Sequence, residues 1–128
     1  MLTRILIVDD SSAMRAFIRA TLEDSGDVEI QEAENGFQAL KLLPRGDFNL
    51  VIVDINMPDI NGLELISFMR RSEKYRVTPL LIVSTEGSEQ TRSRGMALGA
   101  NAYLQKPFKT DELQKMVADM RGQQPSKD

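Results

Sequence analysis

Apolar residues fall along this chain in two alternating rhythms. Short runs of consecutive aliphatic side chains, Ile5-Leu6-Ile7-Val8, Leu50-Val51-Ile52-Val53 and Leu80-Leu81-Ile82-Val83, are separated by longer stretches in which apolar positions recur every three or four residues. The first rhythm predicts strands buried on both faces, and the second predicts helices with one apolar face. Gly26-Asp27, Asn35-Gly36, Arg45-Gly46-Asp47 and Asn61-Gly62 punctuate the elements. The pattern predicts strand 4–8, helix 12–25, strand 28–33, helix 36–44, strand 49–53, helix 63–72, strand 79–84, helix 88–98, strand 101–105 and helix 110–121. Helical spacing is clearest at Met14, Phe17, Ile18 and Leu22, and at Leu113, Met116, Val117 and Met120, both predicted as core-facing stripes.

Strict alternation of strand and helix implies right-handed crossovers and a parallel sheet covered on both faces. The runs at 5–8, 50–53 and 80–83 belong in the centre of that sheet. Val28-Glu29-Ile30-Gln31 and Ala102-Tyr103-Leu104-Gln105 alternate between apolar and polar and belong at its edges. The expected class is therefore α/β: a doubly wound five-stranded parallel sheet of order 2-1-3-4-5, a flavodoxin-like (βα)5 arrangement with its switch point between strands 1 and 3. One domain is expected over residues 1–121, with 122–128 as a flexible C-terminal tail.

The strand ends carry the chemistry. Strand 1 runs into Asp9-Asp10, strand 3 into Asp54, strand 4 into Ser84 and strand 5 into Lys106-Pro107. Ligands of open parallel sheets bind outside the carboxyl ends of the strands, so three carboxylates, a hydroxyl and an ammonium should share one crevice. Three acids there would repel one another and raise at least one pKa unless a cation relieved them. Mg²⁺ suits such a site, with Asp10 and Asp54 as carboxylate ligands and Asp9 reaching it through water. Lys106 and the cation would neutralise an incoming phosphoryl group, and the Ser84 hydroxyl would sense it. Each piece also has an ordinary structural reading: Asp9-Asp10-Ser11-Ser12 as a helix cap, Asp54 as a turn acid before Met57-Pro58, and Lys106-Pro107 as the end of an edge strand.

Composition narrows the chemistry further. The chain has no histidine, so neither an imidazole nucleophile nor a phosphohistidine carrier lies within it, and carboxylates are left as phosphoryl acceptors. It has no cysteine, which removes disulfides and thiolate metal sites and fits a reducing, cytoplasmic location. Residues 1–64 carry 12 acids and 5 bases while residues 65–128 carry 7 and 11, with no clustered basic stripe, so nucleic acid is not expected as a direct partner. No segment has the length of a membrane span, and the start leads directly into a strand rather than a cleavable signal.

Val8-Asp9-Asp10, Asp54-Ile55-Asn56-Met57-Pro58, Asn61-Gly62, Ser84-Thr85-Glu86 and Tyr103-Leu104-Gln105-Lys106-Pro107-Phe108 resemble the receiver domain of two-component response regulators across essentially the whole chain. Its length resembles the single-domain, CheY-type subgroup. The resemblance implies a signalling switch rather than a turnover enzyme, a phosphoprotein of a two-component system, with chemotaxis or motility, an intermediate step of a phosphorelay and a phosphate sink all open as its process. By resemblance, Asp54 is the phosphoacceptor, and Asp9, Asp10, Asp54 and the Asn56 carbonyl organise Mg²⁺. Lys106 contacts the phosphoryl group, Lys106-Pro107 is a cis peptide, Ser84 and Tyr103 form a coupled switch, and Asn56 and Glu86 tune dephosphorylation.

The implied partners are a histidine kinase as phosphodonor, an output protein and a phosphatase, with the chain itself a monomer. Output is expected on the 88–121 face, where Tyr103 should be a half-accessible edge residue that turns inward on phosphorylation. Arg92, Arg94, Lys109 and Lys115 nearby favour an acidic amphipathic helix as the partner. Two other classes fit less well. A haloacid dehalogenase-type hydrolase wants a second Asp where Asn56 stands, and a flavodoxin would place its phosphate against Asp9-Asp10.

Overall fold

In the computed structural model, which describes residues 2–57 and 59–121, the ten predicted elements form in the predicted order. They are β1 (Thr3–Val8), α1 (Ser12–Glu23), β2 (Val28–Ala33), α2 (Gly36–Leu42), β3 (Leu50–Asp54), α3 (Gly62–Arg71), β4 (Leu80–Ser84), α4 (Glu89–Leu98), β5 (Ala102–Gln105) and α5 (Thr110–Arg121). The sheet is wholly parallel with order β2-β1-β3-β4-β5. The expected tail at 122–128 lies outside the described residues.

Two helices stop two residues earlier than their periodicity suggests, for backbone reasons. α1 ends at Glu23, and the chain turns through Gly26 and Asp27, both at positive φ; a left-handed pair cannot continue a helix. α2 ends at Leu42, with Leu43 still in helical backbone as its cap, because Pro44 has no N–H to donate to the next turn. β3, in contrast, extends one residue past its aliphatic run and takes Asp54 into the sheet, paired in register with Val83.

Because side chains alternate along a strand, each central strand feeds two cores. Leu6, Val8, Val51, Val53, Leu80 and Ile82 face the layer containing Ala39, Leu65, Ile66 and Met69 of α2 and α3. Ile5, Ile7, Leu50, Ile52, Leu81 and Val83 face Ile18 and Leu22 of α1 and Leu113, Val117 and Met120 of α5. The central strands β3 and β4 are buried at every position, while β2 and β5 are only partly so. Phe17 departs from its predicted stripe: it is 40% exposed, and its ring lies 5.7 Å from that of Phe108, between centroids. Met14 and Met116 pack against the second core from a partly buried position.

Four helix starts carry side-chain caps. Ser11, Asn35, Asn61 and Ser88 accept from the amides of Met14, Gln38, Glu64 and Thr91, three residues on in each case. Ser11 thus does the capping at the start of α1, and the acids before it are left for other work.

Candidate functional site

β1 and β3 lie side by side, and beyond their carboxyl ends the chain places Asp9, Asp10 and Asp54 together. One carboxylate oxygen from each lies within 4.8 Å of the other two. Asp9 is fully buried and Asp54 is 5% exposed, whereas Asp10 is open to solvent. From the far side of the sheet, Lys106 reaches back across β4: its Nζ donates to Asp9 Oδ2 at 2.8 Å and to Asp54 Oδ2 at 3.2 Å. The backbone aims that side chain, because the Lys106 N–H donates to the Ser84 carbonyl at 2.7 Å and prolongs the β4–β5 pairing one step. The Lys106-Pro107 peptide is cis.

The other oxygens of the two buried acids are also held. Asp9 Oδ1 accepts from the Ser11 amide at 2.9 Å, and Asp54 Oδ1 accepts from the Asn56 amide at 3.1 Å. Arg15 steadies the Asp9 backbone, its Nη1 donating to the Asp9 carbonyl at 2.6 Å while its Nε pairs with Glu32 at 2.9 Å. Arg15 was not among the residues marked by the sequence. Its i, i+4 spacing from Arg19, which also pairs with Glu32 at 2.6 Å, is the signal that marks a basic stripe on α1 facing β2.

Burial pushes the Asp54 carboxyl above its ordinary pKa, and the charge of Asp9 adds to that push, although Lys106 and the Asn56 amide pull the other way. Burial works to lower the Lys106 pKa, but its bond to Asp9 and the charges of Asp54 and Asp9 outweigh this and raise it. The crevice therefore holds more negative charge than one ammonium satisfies. Three hard oxygen donors at this spacing, with no imidazole or thiolate anywhere in the chain, fit a small oxygen-seeking divalent cation such as Mg²⁺.

Ser84, Glu86 and Tyr103 form a second line leading away from the acids. Ser84 is fully buried, and its Oγ accepts from the Glu86 amide at 3.0 Å. The Glu86 carbonyl in turn accepts from the Tyr103 hydroxyl. Glu86 turns its carboxylate to the start of α4, accepting from the Ser88 amide at 3.1 Å. The expectation of a half-accessible Tyr103 is not met: the residue is 7% exposed, packed into the first core, with Arg92 about 5.9 Å from its ring centroid. An edge strand leaves such a side chain open only if nothing crosses it, and here the β4–α4 connection supplies a carbonyl for the hydroxyl and α4 covers the ring.

A family model described as the response regulator receiver domain matches residues 5–118. The chain belongs to the response regulator receiver family. A "Chemotaxis protein CheY homolog" of Campylobacter jejuni is 39% identical over 120 residues, covering 93% of this chain and 92% of that protein. "Chemotaxis protein CheY-3" of Vibrio cholerae is 37% identical over 114 residues, covering 89% and 88%. Among solved structures, chemotaxis response regulator CheY4 of Vibrio cholerae superposes with a TM-score of 0.88 at 33% identity, covering 94% of this chain and 99% of that one. The receiver is thus a signalling switch of a two-component system, of the kind served by a histidine kinase; receivers of this family use Mg²⁺ at an acidic site, and this chain has an aspartate cluster at its strand ends. Among the described residues no helix is long and apolar enough to cross a membrane.

Proposed function

We propose that this receiver, residues 1–121, takes a phosphoryl group from a kinase phosphohistidine onto Asp54 and later loses it to water. The observation that carries this reading is the contact of one ammonium, Lys106, with two buried carboxylates from different strands, beside a third acid. Asp54 supplies the nucleophilic oxygen, which bonds to phosphorus as the bond from phosphorus to the histidine nitrogen breaks. Asp9, Asp10 and Asp54, with the Asn56 carbonyl, hold Mg²⁺, which when bound neutralises charge on the phosphoryl oxygens. Lys106 neutralises the same oxygens from the opposite side, leaving little for the protein to do beyond positioning. In the return step water attacks phosphorus and the Asp54 carboxylate leaves, with Asn56 and Glu86 setting the rate.

Ser84 is the sensor of the loaded state. Its hydroxyl exchanges its bond with the Glu86 amide for one with the phosphoryl group, and that exchange pulls on the backbone that holds the Tyr103 hydroxyl. The change reaches an output protein on the α4, β5 and α5 face, where exposed Arg92, Arg94, Lys109 and Lys115 favour an acidic helix. Chemotaxis is the process, on the strength of relatives that carry that name.

Incubation with Mg²⁺ and labelled acetyl phosphate, or with a phosphorylated histidine kinase, tests the reading. Wild type should take up a hydroxylamine-labile label, and Asp54→Asn should lower the initial rate by more than about a hundredfold, since an amide is a poor nucleophile. Labelling of the variant at the wild-type rate would overturn the assignment.

A further inference from the structure

The connection between β3 and α3, described at residues 55–57 and 59–61, carries Asn56 and is closed at its root. Met57 and Gly62 both donate their amides to the Ile55 carbonyl, at 3.1 and 2.9 Å. Its far side is fastened to another element altogether. Asp59 Oδ1 accepts from the Gly36 amide at 3.1 Å and Oδ2 accepts from the Phe37 amide at 3.0 Å, so one carboxylate takes two backbone donors of the first turn of α2. The fit is close as well as polar: a Cβ at position 36 would stand 2.6 Å from the Ile60 Cβ and 2.9 Å from the Ile60 carbonyl oxygen. Only glycine lets the loop lie this near the helix start.

Capping is only part of this contact. Asn35 accepts from the Gln38 amide at 2.9 Å, and Asp59 takes two further amides of the same first turn. Asp59 comes from 22 and 23 positions further along the chain, so what its bonds add is a fixed position for the loop. At the other end of the same loop the Asn56 amide is bonded to Asp54 Oδ1, which sets the rotation of the acceptor carboxylate. The Asp59 carboxyl is held below its usual range, since the amides of Phe37, Ile60 and Gly36 outweigh the opposing effect of desolvation; the tether therefore stays charged through neutral pH.

We infer that Asp59 is a positioning residue of the acceptor site: by fastening the α3 end of the β3–α3 connection to the first turn of α2, it holds the Asn56 amide where that amide orients the Asp54 carboxylate. The inference rests on the proposed acceptor role of Asp54 only for its consequence in phosphoryl transfer. The link from Asp59 to the Asn56 amide is a property of the metal-free protein.

Two measurements on the purified chain test it: amide-proton exchange of Gly36, Phe37 and Asn56 without metal, and Mg²⁺ titration followed by amide shifts. In Asp59→Ala all three amides should exchange faster, and Mg²⁺ affinity should fall about tenfold, the low end for loss of a partner that orients a metal ligand. Asp59→Asn, with a single acceptor oxygen, should fall between wild type and Asp59→Ala. Asn35→Ala is the control, because it weakens α2 without cutting the tether; it should leave Asn56 exchange and Mg²⁺ affinity within about twofold of wild type. The inference is overturned if Asp59→Ala exposes Gly36 and Phe37 while Asn56 exchange is unchanged, or if Asn35→Ala weakens Mg²⁺ as much as Asp59→Ala does. A wild-type protein that takes no phosphoryl group would remove the acceptor reading alone, since Asn56 exchange decides the tether without metal.

Discussion

A methyl group at position 62 would stand 2.5 Å from the Asp54 carbonyl oxygen and 2.7 Å from the Ile55 Cα, both backbone atoms with no freedom to swing aside. Gly62 sits at the first turn of α3, and its need is for space rather than for an unusual φ. Gly62→Ala should therefore push the start of α3 away from the end of β3, destabilising the fold by about 1–3 kcal/mol, as overpacking generally does. A urea denaturation midpoint checks this, and labelling of Asp54 in the variant should fall with it. The Asn61-Gly62 pair was readable as a turn, but its closeness to Asp54 was not, because that depends on where the loop returns. Asp9, Asp54 and Lys106 were readable at this scale since each directly follows a strand run. Asp59 and Arg70 were not: their partners are mostly backbone groups brought near by the fold, and a carbonyl or an amide looks the same at every position of a sequence.

The elements differ in how firmly they are held. α3 buries Leu65, Ile66 and Met69, but α4 buries only Gly95, which leaves room for the Ile82 side chain beneath it. α4 is kept in place mainly at its ends, by Ser88 at the start and by the Gly99 turn at the finish. Arg70 of α3 secures that finish. Its Nε and Nη2 donate to the Gly99 carbonyl at 3.0 and 2.8 Å, its Nη2 also to Asn101 Oδ1 at 3.0 Å, and its Nη1 to the Tyr75 carbonyl at 2.8 Å. Its contacts are with carbonyl dipoles, and burial pulls its pKa down. Arg70→Ala should cost about 2–3 kcal/mol, the scale of a lost charge-assisted hydrogen-bonding group. Hydrogen exchange read by element should show α4 loosening well before α1, and equal loosening of both would mean that Arg70 supports the whole fold. The guanidinium that secures this helix comes from an element about 30 residues away and leaves no local mark in the sequence.

For the molecule as a whole, the acidic site opposes stability. The Asp54 pKa is raised in the folded chain, so the folded state favours the protonated form. That preference is fully present below the unfolded carboxyl value, about 3.9, is lost as pH rises through the folded value, and leaves a net penalty at neutral pH. Lys106 has the opposite sense: its raised pKa contributes stability below its unfolded value of about 10.4, lost only as pH climbs through the folded value. At pH 7 the metal-free protein should therefore melt below Asp54→Asn. Mg²⁺ at a hundredfold its Kd should add about 2.7 kcal/mol to wild type and markedly less to the variant. Melting curves with and without Mg²⁺ between pH 5 and 8 check the Asp54 penalty and the gain from Mg²⁺, and a variant less stable than wild type without metal would refute the penalty.

The bond between Lys106 and Asp9 joins residues 97 positions apart, and that separation bears on how the protein is made. Asp9 and Asp10 leave the ribosome first, Asp54 follows, and Lys106 emerges only after the fifth strand. Until then the carboxylates of Asp9 and Asp54 stand without their fixed counter-charge. Assembly of the site therefore waits on the edge strand that no local signal ties to it.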